Sequence, residues 1–212
     1  MVIASKVQNA QSQLGESLSR EWADDPMAPA LWDSLQLLKT GWHSGLSSLE
    51  KLADDGSALA MMRLGHIFLS GQYGIRKNEE AGENWLRRSS DAGSIDGRYR
   101  LAKHLQINNH DKSAIELYES LSNLGYAPAM FVLGQAYYSG DLVVKNVDTA
   151  LSYFRRAYAA GHIHAGHWLS HILMTEGKTV GAWLRGAAIR LKILVPFVRL
   201  TVFRPNSDRC RL

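Results

Sequence analysis

Residues 127–161, APAMFVLGQAYYSGDLVVKNVDTALSYFRRAYAAG, carry a layout of small and large side chains that recurs on both sides of them. Ala129, Leu133, Gly134 and Tyr137 fall on one face of a helix, and Ala150, Tyr153, Ala157 and Gly161 on one face of a second. Gly140 is placed to stop the first helix, and DLVVKN turns the chain, with Lys145 and Asn146 as its turn residues. The unit is thus an antiparallel helix pair. Gly134 and Ala157 are the small residues expected where two helix backbones come close.

The same layout appears upstream as Ala60, Leu64, Gly65, Phe68, Gly71, Gly74, Ile75, Trp85 and Gly93. Leu64 and Leu133 are 69 residues apart, which leaves room for one further copy. That copy is Gly97, Leu101, Ala102, Leu105, Ala114, Leu117 and Gly125, with a shortened connection at residues 108–111. A fourth first helix carries Ala165, Leu169, Ser170 and Leu173, and residues 46–56 read as the second helix of an earlier, degenerate copy. A period of roughly 36 residues sustained in this way signals stacked units, an all-α solenoid of antiparallel helix pairs.

On these residues the chain resembles the Sel-one-like repeat family, a relative of the tetratricopeptide repeats. The family pattern, written loosely, is A-x-x-x-L-G-x-x-Y-x-x-G-x-G-V, an acid or amide, then K-A-x-x-W-x-x-K-A-A-x-x-G. Residues 129–161 follow it with Leu142 for the middle glycine, Tyr153 for Trp and Tyr158 for the second Ala; residues 60–93 keep Gly74, Ile75 and Trp85 but carry Ser89 and Ser90 for Ala-Ala. The resemblance spans residues 46–173 and implies a right-handed α-solenoid. It also implies a non-catalytic adaptor or scaffold of the kind that bacteria use around envelope and polysaccharide machinery. The motif residues themselves only hold helices together.

With 46% hydrophobic residues and only 5 Pro, the chain can bury a continuous core. Cys210 is the single cysteine, so the disulfide that ties each repeat in some secreted members of the family has no counterpart, and a reducing, cytoplasmic compartment is expected. The opening residues lack the apolar run of a signal peptide. Val7, Ala10, Leu14, Leu18 and Trp22 instead make one helical stripe. The expected organisation is a capping helix over residues 1–26, the repeats over 27–176 with a degenerate first copy, and a basic helix and tail over 177–212.

Borrowing tetratricopeptide geometry, the groove positions lie two before, two after and five after each Leu of the Leu-Gly pair. They are Met62, His66 and Leu69; Tyr99, Lys103 and Gln106; Phe131, Gln135 and Tyr138; and His167, His171 and Met174. Large amphipathic side chains with few charges suit a groove that holds a protein or peptide partner. Of these, Met62, His66, Tyr99, Lys103, Phe131, Gln135, Tyr138, His167 and His171 are the partner-binding candidates. The alternative is that Met62, Phe131 and Tyr138 are core between repeats.

His162, His164, His167 and His171 form H-x-H-x-x-H-x-x-x-H, and the i, i+4 pair could share a metal. No acid stands between them as in a zinc-protease helix, and no thiolate is near. No nucleophile elbow, phosphate loop or carboxylate pair is present in the sequence, so catalytic residues and cofactors are not expected. A metal-dependent enzyme built on residues 162–171 is the rival reading.

From Gly177 onward eight cations face Asp208 alone, a net +7, while the rest carries 16 cations against 19 acids, or −3. Lys178, Arg185, Lys192 and Arg199 are each seven apart on one stripe, with Leu184, Ala187, Ala188, Leu191, Leu194, Val195, Val198 and Val202 opposite, and Pro196 is expected to interrupt or bend the helix. Its longest charge-free run is far short of the ~18 residues of a membrane span. Two readings stay open. The helix caps the repeats, or it docks on an acidic partner or an anionic membrane face, the latter through Arg185, Arg190, Lys192, Arg199 and Arg204. An acidic remainder offers nucleic acid no continuous phosphate track.

Overall fold

A computed structural model describes residues 21–177 and 179–203, with side chains as far as Ile193. Among these residues every regular element is a helix: α1 (Ala28–Thr40), α2 (Trp42–Asp54), α3 (Ala58–Ser70), α4 (Glu79–Asp91), α5 (Ile95–Ile107), α6 (Asp111–Asn123), α7 (Ala127–Ser139), α8 (Val147–Ala159), α9 (Ile163–Thr175) and α10 (Val180–Phe203). Helical residues 21–24 precede α1, and a 3-10 turn, Gln72–Gly74, follows α3. Helices α1 to α9 are each 13 residues long, the equality that a tandem repeat demands.

Their ends are written into the sequence. Ser57 and Ser94 cap α3 and α5 by accepting the N–H of Ala60 and Gly97, and Asn78 and Asn146 cap α4 and α8 through Ala81 and Thr149. Gly71 and Gly140 close α3 and α7 in the left-handed region, at φ +68° and +84°, where a Cβ would be strained. The Asn78 N–H then donates to the Phe68 carbonyl and the Asn146 N–H to that of Tyr137, so each connection is tied to the helix it leaves. Asn146 therefore starts a helix and does not merely turn the chain.

The chain divides into two compact units, residues 1–110 and 111–212, parted at the shortened connection. In the first, α1 packs on α2, α2 on α3, α3 on α4 and α4 on α5, and residues 21–26 join this unit. In the second, the neighbours are α6 with α7, α7 with α8, α8 with α9 and α9 with α10. The third copy contributes α5 to one unit and α6 to the other.

Within each unit a glycine makes room for a large side chain. A Cβ on Gly65 would stand 2.7 Å from Leu86 Cγ, and one on Gly134 2.7 Å from the Phe154 ring. The large partner in α8 is Phe154, fully buried with Ala150 and Ala157, whereas Tyr153 is half-buried and stacks on Tyr137 at 5.7 Å. Phe154 lies four residues from Ala150 and three from Ala157, and so completes the buried stripe.

Two arginines repeat a contact at matched positions. Arg88 lies over the Trp85 ring and pairs with Asp54; Arg156 lies over Tyr153 and donates to the Ser122 carbonyl. In both cases the cation reaches the C-terminal end of the preceding second helix, where the dipole favours it.

Candidate functional site

The groove positions separate by depth. Met62 and Phe131 are fully buried and Tyr99 is only 6% exposed, so these three are packing residues and offer a partner no surface. Phe131 stacks on the His162 ring at 4.5 Å and packs on Phe154 at 5.9 Å, which places the position two before Leu against the next helix pair and not in a groove. The positions two and five after Leu stay accessible: His66, Leu69, Gln106, Gln135 and Tyr138 are half-buried, and Lys103 is exposed. His167 and His171, exposed, and Met174, half-buried, complete the set.

In the first unit the accessible positions converge. His66 and Leu69 of α3 and Lys103 of α5 line a cavity of about 410 Å³ together with Lys77, Arg100 and His104. Asp96, fully buried, accepts from Arg100 Nε at 2.8 Å and so fixes the guanidinium at the wall. His104 Nε2 stands 3.3 Å from Glu83, which also takes Arg87 at 2.7 Å. Burial, then the charges of Arg100 and Arg63, hold the His66 imidazole below its ordinary pKa, against a weaker pull from Asp96. Arg100, His104 and Lys77 fall outside the spacing rule. The run Arg98, Arg100, Lys103, His104 was the signal in the sequence that could have found two of them.

In the second unit Tyr138 donates its hydroxyl to Glu176 at 2.8 Å and meets the Trp168 ring edge-on at 5.4 Å, while Lys145 Nζ lies 5.4 Å from its centroid. The Glu176 bond, followed by burial, raises the Tyr138 pKa, so the phenol remains a donor. Gln135 stands one turn earlier on α7. This is an aromatic surface with one cation and one acid, suited to contact and without a nucleophile.

The histidines do not gather. His162 is buried and caps α9, its Nδ1 accepting the Ala165 N–H at 3.2 Å, at the place that Ser57 and Ser94 take in earlier copies. His171 faces Trp168 edge-on at 6.3 Å, and burial followed by Arg190 and His171 lowers the His167 pKa. Among the described residues no group of three or more His, Cys, Asp or Glu is arranged to hold a metal. The metal reading of residues 162–171 therefore lacks a ligand set: among the described residues no third ligand joins the i, i+4 pair His167 and His171.

Helix α10 packs on α9 through Ala182, Gly186 and Ile193, and a Cβ on Gly186 would meet Met174 at 2.7 Å and the Ser170 carbonyl at 2.8 Å. Ala182 and Gly186 let the two helices approach, Ile189 and Ile193 pack beside them, and Trp183, Leu184 and Leu191 point elsewhere. Trp183, Leu184 and Leu191 are 48%, 57% and 74% exposed, beside exposed Arg185, Arg190 and Lys192. The stripe that included Leu184 and Leu191 is thus not the packed face. The helix runs on through Pro196, so of the two effects expected there the interruption does not occur. The side chain of Arg199, the whole of Arg204 and most of residues 1–26 lie outside the described residues. Among the described residues no helix is long and apolar enough to cross a membrane.

Comparison with known proteins gives this geometry a setting. Residues 58–94 and 127–162 match the Sel1 repeat model. The backbone is similar to a Sel1 repeat protein from Oxalobacter formigenes, with 20% identity, 80% of this chain and 74% of that one covered, and a TM-score of 0.64. It is also similar to c5321, a protective antigen of uropathogenic Escherichia coli with an SLR fold, at 22% identity over 79% and 42% of the two chains and a TM-score of 0.59. At these identities the likeness is one of fold. In sequence, 159 residues are 34% identical to chitin synthase regulatory factor 3 of Schizosaccharomyces pombe, 66% of this chain but 17% of that protein. The chain thus spans about a sixth of that relative's length.

Proposed function

Since this chain is a Sel1-like-repeat protein, we propose that it is a non-catalytic adaptor that holds a segment of a partner protein on the accessible face of its first helices. The observation that carries this reading is the cavity where the positions after Leu64 and Leu101 converge on His66, Leu69 and Lys103. Helical repeats spend their motif residues on packing, which leaves surface for recognition. A regulatory role agrees with the name of the yeast relative, a regulatory factor of a synthase.

The exposed apolar residues of α10 support a second contact, with an anionic membrane on its cytoplasmic face. Trp183, Leu184 and Leu191 offer area to the acyl boundary, and Arg185, Arg190 and Lys192 meet the headgroups, joined in this reading by Arg199 and Arg204.

Photo-crosslinkers at Lys103 and, in a separate variant, at Gln135 should each trap a partner protein from the native host, while crosslinkers at exposed Asn84 of α4 and Arg155 of α8 should not. Trapping from the second helices alone would overturn the groove reading. For the membrane, the intact protein should sediment with phosphatidylserine vesicles, and Leu184→Asp with Leu191→Asp should abolish it; unchanged sedimentation would make α10 a cap only.

A further inference from the structure

The cavity of the first unit has a chemistry that helix packing does not require. Leu69 and Leu86 give it an apolar lining. Lys77, Arg100 and Lys103 line it against Glu79 alone, a formal +2 before either imidazole is counted. The neighbouring acids are already engaged: Glu79 by Lys77 at 2.6 Å, Glu83 by Arg87 and His104, and Asp96 by Arg100. Because Asp96 takes Nε, the guanidinium is held in plane, and its fork of Nη1 and Nη2 is pre-organised for a carboxylate. Among the described residues His66 makes no side-chain hydrogen bond, and the cations around it oppose its own protonation. An anion in the cavity would relieve both.

We propose that this cavity takes an acidic segment of the partner protein, with carboxylates on Arg100 and Lys103 and a neighbouring apolar side chain on Leu69 and Leu86. This rests on the adaptor reading above and supplies the partner's chemistry. A bilayer surface does not suit the site, because it is a recess between helices; its volume lies near the lower end of the ~300–1,000 Å³ of ligand pockets, enough for a few side chains.

The test is an NMR titration of the full chain with the blocked peptides acetyl-GELEG-amide and acetyl-GQLQG-amide, and with inorganic phosphate. The acidic peptide should shift the His66 ring and Arg100 Nε–H signals saturably. The amide peptide should bind at least about tenfold more weakly, because both charge-assisted bonds become neutral ones. Lys103→Glu, at an exposed position, should weaken the acidic peptide by about as much with circular dichroism unchanged. Equal binding of the two peptides, no shift at His66 and Arg100, full affinity in folded Lys103→Glu, or phosphate matching the peptide at equal concentration would each overturn the proposal. Crosslinking from Lys103 judges the groove separately: with crosslinking intact, any of these results removes the acidic requirement and leaves the adaptor reading standing.

Discussion

Glu21 and Ser94, 73 residues apart, meet at 2.6 Å, the serine hydroxyl donating to the carboxylate. The other carboxylate oxygen accepts the Asp96 N–H at 3.0 Å, and one helical turn on, Asp25 accepts from the Ser57 hydroxyl at 2.8 Å. Ser57 and Ser94 begin the first helices of successive copies, so residues 21–25 clamp two helix starts at once, where negative charge is favoured. They lie along the edge of the repeats as well as against α1, where Trp22 is buried edge-on to Trp32 at 6.2 Å.

Burial raises the Glu21 pKa above its ordinary 4.5, outweighing the bonds from Ser94 and Asp96. A carboxyl whose folded pKa is raised contributes stability fully present below 4.5 and lost as pH rises through the folded value. Glu21→Gln keeps an acceptor for the Asp96 N–H, removes the desolvated charge and turns the Ser94 contact round, the amide N–H donating to the serine oxygen. It should therefore match or exceed the parent at pH 7 and flatten the pH dependence above 4.5. Glu21→Ala should cost about 1–2 kcal/mol. Urea unfolding at several pH values measures both; a Gln variant as weak as the Ala one would mean that the charge itself holds the clamp.

Two glycines predict opposite signs. At Gly65 a methyl would stand 2.7 Å from Leu86 Cγ and 3.0 Å from the Gly82 carbonyl oxygen, so Gly65→Ala should destabilise by about 1–3 kcal/mol. At Gly181 the nearest atom is the flexible Arg185 Nη1 at 3.9 Å, so Gly181→Ala should stabilise by about 0.5 kcal/mol through helix propensity. Thermal unfolding separates them, and equal losses would show that α10 tolerates no added methyl.

His162 caps α9 and stacks on Phe131, so His162→Ala should lose about 2 kcal/mol, a cap and a ring contact together. His162→Ser, which installs the residue of Ser57 and Ser94, should recover roughly half of that. A serine variant no better than alanine would place the whole effect in the ring.

What could be read along the chain was what depends on neighbours within one helical turn. Leu133, Gly134 and Gly140 fix a buried stripe and a stop, and both stand where the spacing put them. Tyr153 and Phe154 are adjacent aromatics, and only the packing of α8 decides which one turns inward. On α10, counting large apolar residues selected Leu184 and Leu191, whereas close helix contact selected Ala182 and Gly186. Glu21 acts across 73 residues, a relation that no local period encodes; Asp96 and Arg100 are an i, i+4 pair on α5, and what the spacing does not tell is that the acid is buried.

The same pair, Asp96 and Arg100, also bears on His66. Arg63 on its own helix and Arg100 on α5 oppose the imidazolium, Asp96 favours it weakly, and burial opposes it most. A folded pKa below the ordinary 6.5 means that the unfolded chain binds the proton more readily, so this contribution is present above 6.5 and lost as pH falls through the folded value. His66→Gln should therefore flatten the acid limb of the stability curve relative to the parent. An occupant carrying carboxylates reverses the balance around the ring. With acetyl-GELEG-amide bound, the His66 titration should move upward, and the peptide should bind more tightly as pH falls through that range. A His66 ring that titrates at the same pH with and without saturating peptide would show that no carboxylate comes to rest beside it.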